Sequence, residues 1–125
     1  MRDVLGGSER RFRALVAEAL DSLPEEWARL LDNVAVVVED EPSEADLLAL
    51  GMEPDEGGEL LGMYHGTPLH ERGVDYSGLP DRILIYRGPI LSICSSRQDV
   101  VREIRETVLH ELGHHFGLSE EDLPF

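Results

Sequence analysis

The chain has 125 residues, of which 26 are acidic and 11 basic, giving a formal net charge of −15; 42% of the side chains are hydrophobic and 30% charged. That length holds one domain with one modest core, and the mix is that of a soluble globular protein. So acidic a surface repels phosphate backbones, which argues against nucleic acid as a partner and favours cationic or neutral substrates.

Ser8 reads as an N-cap, and Phe12, Leu15, Val16 and Leu20 then recur at helical spacing through Asp21. Pro24 suits the first turn of a second helix running through Trp27, Leu30 and Leu31. Val34 to Val38 are all apolar and mostly β-branched, which predicts a buried strand, closed by Glu39, Asp40 and Glu41. Pro42 to Leu48 reads as a short capped helix ending before Gly51, and the acidic stretch from Gly51 to Gly58 as a loop. Leu60 to Gly66 reads as a second strand, with His65 opening a glycine-proline turn, and Pro68 to Pro80 as an ordered loop. Arg82 to Arg87 reads as a third strand with Ile83 and Ile85 on one face, broken by Gly88 and Pro89. A short helix is expected from Pro89 to Ser95. Ser96 then caps a long helix from Arg97 to Phe116, with Val101, Ile104, Val108 and Leu112 as its core stripe. Gly117 is a natural stop, and Ser119 with Glu120, Glu121 and Asp122 reads as a new helix start. The order of elements predicts an α+β fold in one domain over residues 1–125, a small mixed β-sheet packed on the long helix.

Several chemistries are excluded by what the chain lacks. All 11 basic residues are Arg, so a Schiff-base lysine, a P-loop and a Ser–Lys dyad are ruled out. There is no G-x-S-x-G and no C-x-x-C. The lone Cys94 follows Leu91, Ser92 and Ile93 and reads as a packed small hydrophobe rather than a nucleophile. One cysteine, no apolar run of the roughly 18 residues a membrane helix needs, and no apolar stretch after Met1 place the chain in the cytoplasm, away from membranes.

The chemistry-bearing stretch is His110-Glu111-Leu112-Gly113-His114-His115-Phe116-Gly117, which reads H-E-x-x-H-x-x-G. Helix residues four apart share a face, with Cβ atoms about 5–6 Å apart. His110 and His114 can therefore both reach one zinc ion at bond lengths of about 2.0–2.1 Å. Glu111 leans over the open metal position as general base. Both histidines lie off the predicted core stripe. His115 is about 100° round the helix from His114 and reads as a packing or supporting group rather than a ligand.

The third ligand has more than one candidate. In the long signature H-E-x-x-H-x-x-G-x-x-H it stands ten residues after the first histidine, and that count lands on Glu120. A carboxylate oxygen binds zinc at about 2.0–2.2 Å. Asp122 is the competitor and Glu121 a further option.

By these residues the chain resembles the zincin metallopeptidases, and more narrowly a minimal zincin-like family of short bacterial proteins. Leu61 to Leu69, Glu71 to Gly73, Asp81 to Pro89 and His110 to Asp122 carry the resemblance. It implies a stripped zincin fold, with a small twisted sheet over the active-site helix and a cleft beside an edge strand, here Leu60 to Tyr64, on which an extended peptide pairs. The chain departs from the metzincins in having no methionine after the third-ligand position; Met52 and Met63 lie upstream.

The expected activity is zinc-dependent peptide-bond hydrolysis, with Zn2+ as cofactor and a peptide or protein as substrate. Tyr64, Tyr86, His65 and Arg87 are the candidate oxyanion donors. A protease of this kind in the cytoplasm needs narrow specificity or a protein partner that completes the cleft. The alternative is a metal-binding zincin-like protein without proteolytic activity.

Overall fold

The computed structural model describes residues 8–66 and 81–116. The expected loop from Pro68 to Pro80, the Gly117 stop, the Ser119 cap and the acids Glu120, Glu121 and Asp122 lie outside the described residues.

Helix α1 spans Glu9–Asp21, and the Ser8 hydroxyl accepts from the Arg11 amide at 3.2 Å, as its N-cap position requires. It buries Phe12, Leu15, Val16 and Ala19, while Leu20 packs at the margin of the core. Helix α2 is a single turn, Glu25–Ala28, which tightens into a 3-10 turn over Arg29–Leu31. Pro24 stands just ahead of it as N-cap rather than inside its first turn. Strand β1 is Val34–Glu39, and helix α3 is Glu44–Ala49, capped by Ser43 accepting from the Asp46 amide at 3.1 Å.

The acidic stretch after Gly51 is more ordered than the loop expected there. Pro54–Glu59 forms a 3-10 helix, and Glu56 reaches back to accept from the Glu53 amide at 2.8 Å. This is half of the reciprocal pattern that stabilises a helix start. Strands β2 and β3 are Gly62–His65 and Asp81–Tyr86. Helix α4, Arg87–Ser92, follows β3 without a gap. Gly88 and Pro89 were expected to separate the two; instead Pro89 sits in the first turn, where its missing N–H leaves no helix bond unmade. Helix α5 runs Arg97–His115 from a Ser96 cap that accepts from the Asp99 amide at 3.1 Å.

The sheet is mixed, in the order β1-β3-β2, with β1 parallel and β2 antiparallel to β3. β3 is therefore the central strand, and its Ile83, Leu84, Ile85 and Tyr86 are all buried. β1 is an edge strand. Its valines are only half-buried, so the expectation of a buried strand is corrected: an apolar run does not distinguish a central strand from an edge covered by helices.

Alternation along β3 divides the molecule. Ile83 and Ile85 join the core made with α1 and α5, together with Phe12, Leu15, Ile104, Val108 and Leu112. Leu84 and Tyr86 point to the opposite face, where Tyr86 meets Asp46 of α3. On α5 the buried stripe runs through Val100, Ile104, Val108 and Leu112; Val101, expected in it, is only half-buried. No helix among the described residues is long and apolar enough to cross a membrane.

β2 lies against α5 at Gly62. A Cβ built there would sit 2.5 Å from Thr107 Cγ2 and 2.8 Å from the Leu84 carbonyl oxygen, one a branched side chain and the other backbone. Neither can yield cheaply. We expect Gly62→Ala to lower the unfolding free energy by about 1–3 kcal/mol, the usual cost of overpacking, as read by urea denaturation. An unchanged midpoint would contradict the close approach.

Candidate active site

The antiparallel pairing fixes which side chains of β2 face α5. Gly62 and Tyr64 stand opposite Ile85 and Ile83, so they share the α5 face; Met63 and His65 stand opposite Leu84 and Arg82, on the other. The Tyr86 amide donates to the Leu61 carbonyl at 3.0 Å. Hydrogen-bonded pairs alternate in an antiparallel ladder, so the amides of Met63 and His65 point at β3. Those of Gly62 and Tyr64 point away from β3, to an edge that no strand among the described residues pairs with.

The Tyr64 amide at that edge donates to Glu111 Oε1 at 2.8 Å. The bond spans 47 residues of sequence and fixes the carboxylate between α5 and the edge strand. Burial raises the Glu111 pKa above the ordinary glutamate value, partly offset by the Tyr64 amide and by His114 and His110. A raised pKa suits a group that must take up and release a proton near neutrality.

His110 and His114 lie one turn apart, their ring centroids 4.5 Å from each other in an edge-on arrangement. His110 is half-buried and His114 exposed, so neither is a core residue. The structure thus brings His110, Glu111 and His114 together at one end of α5. Their chemistry fits two imidazole ligands of a zinc ion. Among the described residues no third His, Cys, Asp or Glu completes a metal-holding group; Glu120 and Asp122, the candidates for that place, lie outside them.

His115, expected as a packing or supporting group, packs on the edge strand. Its ring stacks on Tyr64, centroids 3.9 Å apart and planes within 13°. The Tyr64 hydroxyl donates to Asp81 Oδ2 at 2.7 Å, and His115 Nε2 lies 3.8 Å from the same oxygen. Asp81, which sequence reasoning missed, thereby ties the start of β3 to the end of α5.

The four candidate oxyanion donors separate by face. His65 and Tyr86 both bond Asp46, at 3.2 Å each, on the side of the sheet away from α5. Burial and the Asp46 charge push the Tyr86 hydroxyl pKa well up, so it stays protonated. Arg87 pairs with Asp40 at 2.8 Å. Only Tyr64 shares the face of Glu111, and its hydroxyl is already given to Asp81.

A groove of about 280 Å³ opens beside Glu111. Leu60, Leu61 and Gly62 form one wall, and Glu103, Glu106, Thr107, His110 and Glu111 the other. Sequence reasoning missed Glu103, Glu106 and Thr107. A signal existed: they precede His110 by seven, four and three residues, the spacings that share one helix face.

With this geometry in place, comparison with known proteins is specific. The model of the zincin-like metallopeptidase family matches residues 31–124. The chain belongs to that family, and the fold is a single-domain minimal zincin-like one, its small mixed sheet packed on the long helix that carries the motif. The match also takes in β1 and α3, beyond the segments that carry the resemblance in the sequence. A solved structure, a conserved hypothetical protein from T. thermophilus, is 29% identical and superimposes with a TM-score of 0.56, covering 88% of this chain and 94% of that one. None of the curated proteins matches.

Cys94 stands apart from this constellation. Burial, with the charges of Glu103 and Asp99, pushes its thiol up to about 11, against a smaller opposing effect of Arg102. The reactive thiolate is therefore scarce at neutral pH. Its alkylation by iodoacetamide should rise about tenfold per pH unit from 7 to 9.5 without levelling, since the thiolate fraction keeps growing until the pH reaches the pKa. A plateau near pH 8.5 would show an unperturbed thiol.

Proposed function

We propose that the chain is a zinc-dependent peptidase. The observation that carries this reading is the Glu111 carboxylate, held at 2.8 Å by the Tyr64 amide between the histidine pair and a strand edge left unpaired among the described residues. That is where a base must stand to serve a peptide lying along β2. His110 and His114 would hold the ion with a third donor, Glu120 by the ten-residue spacing or else Asp122. Zinc there would supply Lewis-acid polarisation of a carbonyl and a lowered pKa for water.

The chain's own residues do the rest. That edge of β2 offers the Gly62 amide and the carbonyls of Gly62 and Tyr64 to an extended peptide, while the Tyr64 amide keeps Glu111 in place. Glu111 takes the proton of the attacking water and passes it to the leaving amine. Membership of the family supports a metal, typically zinc, and the peptidase class.

A second reading, a metal-binding protein without proteolysis, is favoured by one observation. All four expected oxyanion donors are engaged elsewhere, three of them by Asp46 and Asp40. The two readings part on a single pair of measurements. Protein purified without chelators should carry about one zinc per chain by elemental analysis, and His110→Ala/His114→Ala none. Glu111→Gln should keep the zinc and lose about 10²–10⁴-fold in peptide hydrolysis. Zinc with no hydrolysis of any peptide by the wild type establishes the second reading; undiminished turnover in Glu111→Gln removes the mechanism.

A further inference from the structure

The α5 wall of the groove carries an arrangement that hydrolysis itself does not use. Glu106 and Glu103 lie one and two turns before His110, about 6 Å and about 10 Å back along the helix axis. Both are half-buried, and neither has an ion-pair partner among the described residues. The neighbouring Arg102 is turned to Asp99 at 2.9 Å. Burial and the like charges of Glu106 and Asp99 raise the Glu103 pKa, against an opposing effect of Arg102.

Thr107 is a second, independent observation at the same wall. It is 8% exposed, and it lines the groove. Its hydroxyl has no hydrogen-bond partner among the described residues, whereas buried polar groups in folded proteins are nearly always paired. The opposite wall is apolar at Leu60 and Leu61 and lacks a side chain at Gly62.

We propose that this groove is a specificity subsite for a cationic side chain of the peptide, arginine before lysine. This rests on the groove being the peptide cleft. The leucine wall receives the methylene stem. Glu103, Glu106 and Thr107 put several acceptors on this wall within two helix turns. A planar guanidinium with five donors engages such a set more fully than an ammonium with three. The strand edge at Gly62 holds the backbone of the same peptide. A bound cation also relieves the repulsion between the two glutamates, so recognition removes a cost present in the free protein.

The test uses zinc-loaded Glu111→Gln protein, so that binding is read without turnover. The probes are two fluorescein-labelled, amide-capped decapeptide mixtures, one with arginine and one with its neutral isostere citrulline at the same central position. Anisotropy should show the arginine mixture binding about tenfold tighter, the scale of hydrogen bonds to a charged group. Adding Glu103→Gln/Glu106→Gln should erase the difference, while Glu26→Gln/Glu44→Gln, which removes the same charge from exposed sites elsewhere, should preserve it. Equal binding of both mixtures, no binding of either, or a preference that survives in the Glu103/Glu106 variant overturns the subsite. A separate hydrolysis screen of wild-type protein tells the two ideas apart. Cleavage without an arginine preference removes the subsite and leaves the peptidase; arginine binding through the two glutamates without cleavage removes the peptidase and leaves the subsite.

Discussion

At Gly62 the edge strand runs against α5 with no room for a side chain, Thr107 on one side and the Leu84 carbonyl on the other. A bulkier residue would lift β2 off the helix, and the Tyr64 amide would lose its reach to Glu111. This contact sets how closely the sheet edge can approach the motif helix. Gly62 also belongs to the groove wall, so one missing Cβ both sets the spacing of the site and leaves space within it.

The sheet then separates two sets of polar groups that lie close in sequence. Tyr64 and His65 are neighbours, yet alternation sends Tyr64 to His115 and Asp81 on the α5 side and His65 to Asp46 on the α3 side. Tyr86 joins His65 there, with Met63 Sδ 3.9 Å from its hydroxyl. This far-side cluster anchors α3 to the central strand. Its bonds replace the water that its polar atoms lose on burial, which is the condition for keeping them inside at all.

Much of this was legible in the sequence where the signal is local. Ser8 and Ser96 cap their helices because a short hydroxyl side chain competes well for free amides. The four-residue spacing of His110 and His114 needs no tertiary information to put them on one face. What could not be read depends on partners distant in the chain. Val34 to Val38 looked buried because the pattern reports hydrophobicity, not the position of a strand in its sheet. The Val101 stripe was displaced to Val100 because α1 decides which side of α5 is covered. Glu111 meets Tyr64 across 47 residues, and neither residue carries a mark of the other. The spacing of Glu103 and Glu106 puts them on the helix face of His110, but only β2 supplies the second wall that makes a groove of it.

The bond from the Tyr64 amide to Glu111 has one more consequence. An exposed strand edge is a template on which a strand from another copy of the chain can add, and proteins blunt such edges with charge. β2 is short, and its outward amide at Tyr64 is already taken by a carboxylate that an incoming backbone carbonyl would have to displace against its charge. Only Gly62 is left with both edge groups unoccupied by Glu111. The same residue that would handle the proton would therefore also hinder a second copy from pairing along this edge, while leaving Gly62 for a single extended guest.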